Sequence, residues 1–175
     1  VVKSKLEDFL DSGEADKLDS LMLDGAIEDK SGENKSDKAE NVEIELYSHM
    51  NGTIVPLEKV EDEAFSSKVL GEGVAVEPTE GKLFAPCDGK VEMVFDTKHA
   101  INIVSHSGCE ILLHIGIDTV KLGGEFFESH VIDGQEISKG DLLISFDIEE
   151  IKKAGYKTTT PMIICNTDDY KSVNA

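Results

Sequence analysis

Between residues 44 and 175 the apolar positions come in short runs, at a length where buried strands are expected rather than helices. The runs are "VAVEP", "KLFAP", "KVEMVF", "AINIV", "CEILLHI" and "DLLISF". Turn signals separate them: "MNG", "GEG", "PTEG", "CDG", "HSG", "LGG", "DGQ" and "SKGD". Glycine and its polar neighbours supply the backbone conformations that reversing a chain requires. Only "DIEEIKKAGY" has helical spacing, and it meets Gly155 where a helix C-terminus favours glycine. There is no repeat and no βαβ alternation. The predicted fold is all-β, an antiparallel sandwich or barrel with short helical turns.

Residues 1–43 break this pattern. They hold thirteen acidic and six basic residues but a single aromatic, Phe9, around the polar tract "EDKSGENKSDKAEN". Such a stretch buries too little apolar surface to offset its ordering entropy. The expected organisation is therefore a flexible acidic linker, or the tail of a preceding domain, over 1–43, followed by one domain over 44–175. Short amphipathic turns are possible readings of "KLEDFLDS" and "KLDSLMLDG". The first residue is Val rather than Met, which suggests a processed or excised piece.

Charge then narrows the partners. A formal charge of −19 disfavours nucleic acid and anionic membranes, and favours basic protein partners. No apolar run reaches the roughly 20 residues that a membrane span needs, so direct membrane insertion is not expected. Cys87, Cys109 and Cys165 are odd in number and lack CxxC spacing, so they are expected as reduced core fillers in a cytosolic setting.

The candidate chemistry lies in "HAINIVSHSGCEILLHIGIDTV", residues 99–120. A turn with His106 and Ser107 at its tip makes opposed residues sum to 213, which sets His99 directly across from His114. A turn one residue later sets Ile101 opposite His114 instead. Two adjacent neutral imidazoles suit metal binding, proton shuttling or phosphoryl acceptance beside a steadying donor. The plain alternative for either histidine is a satisfied core residue. Gly116 and Asp118 follow His114, while Thr97 lies two residues before His99 and so on the same face of a strand.

"PTEGKLFAPCDGKV", "DTKHAINIVS", "LLHIGIDTV" and "GDLLISFDIEEIKKAGYKTTTPMIICNTDDY" stand in this order in the chain. Together they resemble the glucose-type EIIA domain of bacterial phosphoenolpyruvate-dependent sugar phosphotransferase systems, from about Tyr47 to Val173. "AGYKTTTPMIICNTDDY" is most similar to EIIA domains of β-glucoside or sucrose/trehalose-type permeases. The resemblance implies a phosphohistidine carrier, charged by a histidine-containing general phosphocarrier protein and discharged to a cysteine of an EIIB domain. It implies His114 as acceptor at Nε2, His99 as phosphate stabiliser, the Gly116 carbonyl as holder of the Nδ1 proton, and Thr97 as hydrogen-bond partner of His99. Asp118 lies beside the site. Phe65, Val69, Leu70, Phe95, Leu112 and Val120 match the family's apolar docking ring, although each also reads as core. Glu61, Asp62 and Asp118 would complement a basic carrier. The setting implied is cytoplasmic, tethered to an inner-membrane permease. Related domains run about twenty residues further, so a closing strand is expected beyond this chain.

Other readings are weaker. "HIGID" fits the H-x-G-x-D motif of a zinc peptidase, but only His130 follows Asp118 and the H-x-H pair such a site needs is absent. "GQEISKGDLLISFD" suggests a lipoyl- or biotinyl-type carrier, yet no hairpin tip has the lysine context that modification requires. A regulatory module that binds partners according to its phosphorylation state is compatible with transfer. Two histidines fall short of a stable zinc site without a partner's carboxylate, so no metal or cofactor is expected. His106, His130, His49 and Lys139 read as surface, strand-edge or turn residues.

Overall fold

The computed structural model describes residues 43–174, so the acidic leader proposed over 1–43 lies almost wholly outside the described residues. Ten strands fall within the unit Leu46–Ala175. They are β1 (Gly52–Pro56), β2 (Glu72–Pro78), β3 (Lys82–Phe84), β4 (Gly89–Val94), β5 (Ala100–Ser105), β6 (Glu110–His114), β7 (Phe127–Ser129), β8 (Glu136–Ile137), β9 (Leu142–Phe146) and β10 (Thr160–Ile164). Two short helices accompany them, α1 (Glu63–Ser66) and α2 (Ile148–Lys153). Every strand pairing is antiparallel. A seven-stranded sheet runs β1–β2–β10–β6–β5–β4–β8, and a three-stranded sheet runs β3–β9–β7. The expected all-β architecture is what the chain adopts.

The alternation of β4 shows how pattern becomes layer. Val91 and Met93 are buried while Lys90 and Glu92 face solvent, so one face of this strand is wet. β10, near the middle of its sheet, is buried at all five positions. Pro161 is tolerated there because the pairing with β6 begins only at Met162. Ile101, Leu113, Leu143, Ile144 and Ile163 are fully enclosed, each contributing about 1.5–3 kcal/mol of burial. Helix α2 starts at Asp147, whose carboxylate accepts from the Glu150 amide, and ends before Gly155 at φ 93°. That matches the stop read from the sequence.

The β5–β6 hairpin corrects the register. Ser105 N–H donates to the Cys109 carbonyl and Gly108 N–H to the Ser105 carbonyl, both at 2.9 Å. The tip is therefore three residues long, His106, Ser107 and Gly108, and Gly108 takes the left-handed conformation at φ 83°. Opposed residues sum to 214, so Ala100 rather than His99 or Ile101 faces His114. A one-residue slip normally sends a side chain to the other face of the sheet. His99 escapes this because it lies outside β5, just after Lys98 at φ 55°, and the ladder's alternation does not bind it.

His49 is a second correction. It is fully buried rather than at the surface, and its Nε2 donates to the Thr160 carbonyl at 2.9 Å. His130 and His106 are exposed as expected, paired with Ser145 and Glu136. Lys139 is more than a turn residue, since its ammonium sits 3.7 Å from the centre of the Tyr47 ring. All three cysteines are free thiols.

Candidate functional site

The end of β6 and the residues before β5 bring the two histidines together. Their ring centres are 4.8 Å apart and nearly perpendicular, at 83°. The backbones are tied at the same point, Ile115 N–H donating to the His99 carbonyl at 2.7 Å. Phe65 of α1 packs against His114 at 5.2 Å, and Phe95 meets His99 edge-on at 5.5 Å. Both imidazoles are at most a few per cent exposed.

Burial governs their protonation. Desolvation, with the neighbouring His114 adding to it, lowers the His99 pKa to about 2. Desolvation lowers His114 to about 4, opposed by the Gly116 carbonyl and by the charges of Asp62 and Asp118. Both rings are therefore neutral at pH 7. A neutral imidazole has one N–H and one lone pair, and its partner decides which nitrogen holds which. His114 Nδ1 lies 2.8 Å from the Gly116 carbonyl, which only accepts, so the proton is on Nδ1 and the lone pair is on Nε2. Thr97 Oγ1 is 2.5 Å from His99 Nδ1.

Gly116 holds its place for a physical reason. Its φ is 74°, and a Cβ there would lie 2.5 Å from the Lys157 carbonyl oxygen and 2.6 Å from the Thr119 methyl. Asp118 also has positive φ, at 61°, and is exposed beside Lys121 at 3.1 Å. The five residues singled out from the sequence lie on two segments, 97–99 and 114–118, at the open end of the β5–β6 hairpin. The signals missed in the sequence were Thr119, fully buried with its hydroxyl donating to the Ile115 carbonyl, and the Lys157 carbonyl, which accepts from Ile117 N–H at 3.0 Å. Neither carries a motif of its own.

The apolar ring is less exposed than its docking role suggested. Phe65, Leu70, Phe95 and Leu112 are core residues, Val120 is half-buried, and only Val69 stands out at 44% exposure. Asp62 caps α1 by accepting from Ala64 N–H at 2.8 Å, and Glu61 pairs with Lys157. An open groove of about 810 Å³ lies elsewhere, along 78–81, 126–128 and 145–149, and no site residue lines it. No three His, Cys, Asp or Glu side chains among the described residues are grouped to hold a metal. No helix among the described residues is long and apolar enough to cross a membrane.

A β-sandwich with two apposed neutral imidazoles, one tautomer-fixed, is an arrangement that suits phosphoryl acceptance on a ring nitrogen. Residues 44–170 match the family model described as phosphoenolpyruvate-dependent sugar phosphotransferase system, EIIA 1, and the chain belongs to that family. It is 53% identical over 126 residues, 72% of this chain, to the β-glucoside-specific EIIBCA component of Halalkalibacterium halodurans. It is 40% identical over 175 residues, 99% of this chain, to the glucose-specific EIICBA component of Streptococcus pneumoniae. These matches cover only 20% and 23% of the two relatives, so the chain spans about a fifth of their length. Among solved structures, glucose permease IIA from Mycoplasma capricolum aligns with TM-score 0.67 and 42% identity, covering 70% of this chain and 79% of that one. The chain is thus an EIIA domain, a phosphotransferase component.

Proposed function

We propose that His114 accepts the phosphoryl group at Nε2 from the phosphohistidine of a histidine-containing general phosphocarrier protein and hands it to a cysteine of an EIIB domain. In the first step the donor's P–N bond breaks as the bond to His114 Nε2 forms. The Nδ1 proton stays on the ring, held by the Gly116 carbonyl. In the second step that P–N bond breaks as a P–S bond forms on the EIIB thiolate. His99 is the stabilising group. With Thr97 donating to its Nδ1, His99 carries its own proton on Nε2 and presents it to the phosphoryl oxygens. The chain contains no arginine, so no guanidinium fork competes to hold the phosphate. A neutral donor steadies the group without making it too stable to leave.

The observation that carries this reading is the 2.8 Å contact from His114 Nδ1 to the Gly116 carbonyl beside the second imidazole at 4.8 Å. Exposed Val69 and half-buried Val120 form the accessible apolar part of the docking face, with Phe65, Leu70, Phe95 and Leu112 supporting it from beneath. Glu61, Asp62 and Asp118 surround it with negative charge that steers a basic carrier. Residues 1–43 are the tether from a preceding permease domain, a reading supported by the full-length alignment to the streptococcal EIICBA protein. The domain accordingly works at the cytoplasmic side of an inner-membrane permease.

A transfer assay with labelled phosphoenolpyruvate and the two general carrier proteins tests the roles. Wild type is expected to gain an acid-labile, base-stable phosphate and His114→Ala to gain none. His99→Gln is expected to be charged but to pass little on to EIIB. Labelling of His114→Ala at the wild-type level would remove His114 as acceptor.

A further inference from the structure

Fixing a tautomer through a carbonyl only moves the question one step, to what fixes the carbonyl. Gly116 itself has no side chain to brace its peptide. The amides on either side are anchored, Ile115 N–H to the His99 carbonyl at 2.7 Å and Ile117 N–H to the Lys157 carbonyl at 3.0 Å. Those bonds hold the ends of the turn. The remaining constraint comes from Thr119, fully buried, whose hydroxyl donates to the Ile115 carbonyl four residues back. Its methyl lies under Gly116, where it would be 2.6 Å from any added Cβ. Thr119 thus holds the turn from within, by a hydrogen bond at one peptide and a packing contact at the next.

We infer that Thr119 is a positioning residue for phosphoryl transfer, holding the Gly116 carbonyl in line with His114 Nδ1 and so keeping the acceptor lone pair on Nε2. This rests on the reading of His114 as acceptor. Without the hydroxyl, the Ile115 carbonyl loses a buried donor and the 115–119 turn loses its internal brace. The Gly116 carbonyl then leaves its alignment, and His114 populates the other tautomer, whose lone pair faces away from the incoming phosphoryl group.

The test uses the whole chain as Thr119→Val, which keeps shape and removes the hydroxyl, and Thr119→Ser, which keeps the hydroxyl. Long-range proton–nitrogen NMR on the histidine side chains reads the tautomer directly, since protonated and lone-pair nitrogens resonate far apart. Wild type is expected to show His114 protonated at Nδ1 alone. Thr119→Val is expected to shift the His114 nitrogens toward tautomer averaging and to slow phosphorylation about tenfold, a hydrogen bond's worth of alignment. Thr119→Ser is expected to restore both. A folded Thr119→Val with the wild-type nitrogen pattern and rate would overturn the inference. If Thr119→Val does not fold, Thr119→Ala decides, because it removes both the hydroxyl and the methyl, and a folded Thr119→Ala with the wild-type nitrogen pattern and rate would overturn the inference. Labelling of His114→Ala in the same assay would instead refute the acceptor assignment and leave the tautomer result standing as structural.

Discussion

His49 and His114 are the same group in nearly the same circumstances. Both are buried, both have one ring nitrogen on a backbone carbonyl, at 2.9 and 2.8 Å, and burial lowers both to about 4. Their differences lie in which nitrogen is tied and what surrounds the other. His49 is held through Nε2 and its Nδ1 is enclosed with no hydrogen-bond partner. His114 is held through Nδ1, beside a second imidazole, with the carboxylates of Asp62 and Asp118 acting on it. Burial and a depressed pKa therefore do not identify a working histidine. What sets His114 apart as the proposed acceptor is the choice of tied nitrogen and a second polar ring within reach.

The comparison breaks most visibly at Gly116. Gly116→Ala adds a Cβ into contact with the Lys157 carbonyl and the Thr119 methyl at a φ of 74°, so the turn must shift. A cost of about 2–3 kcal/mol in stability is expected from the strained backbone. Displacing the carbonyl by about 1 Å is expected to slow phosphorylation about 100-fold. Urea denaturation and the transfer assay measure the two separately. A variant destabilised but phosphorylated at the wild-type rate would mean that the carbonyl does not set the acceptor.

His49→Phe makes the opposite separation. It fills the same space but leaves the buried Thr160 carbonyl without its donor, at a cost of about 1–3 kcal/mol. Phosphorylation at a temperature where the variant is folded is expected to be unchanged, because the His49 ring bonds to Thr160 and not to a site residue. A parallel loss of transfer would show that the two imidazoles are coupled through the β10 backbone.

Much of this was legible in the sequence, and unevenly so. The strand runs around β2, β4, β5, β6 and β9 were readable because each is a short apolar run bounded on at least one side by a glycine-containing turn. β7 and β8 were not, since three- and two-residue strands carry too few positions to show an alternation. The hairpin register was off by one because "SHSG" supports several tip lengths, and only the left-handed Gly108 selects the three-residue loop. The pairing of His99 with His114 survived that error for a reason the pattern does not encode. His99 sits outside the strand, past a positive-φ lysine, where alternation no longer applies. His49 was misplaced because "YSHMNG" runs into a turn signal and shows no apolar run, while the long-range contact with Thr160 is invisible in the sequence. The docking ring was overestimated for the converse reason, as an apolar residue beside a site and one beneath it look alike in sequence.

The pH dependence of stability separates the histidines more finely. Each has an ordinary pKa of 6.5 when unfolded, and folding lowers His49 and His114 to about 4 and His99 to about 2. Below pH 6.5 the unfolded chain therefore binds protons that the folded one refuses. Stability is full above pH 6.5 and falls as pH drops toward 4, by about 1.4 kcal/mol per pH unit for each histidine. His49→Phe removes one of the three contributions, so its loss of stability between pH 6.5 and 5 is expected to be about one third shallower than in wild type. Urea midpoints at half-unit steps over that range resolve the difference. Equal slopes would mean that His49 is protonated alike in both states, and that its burial differs from that of His114 in more than the choice of tied nitrogen.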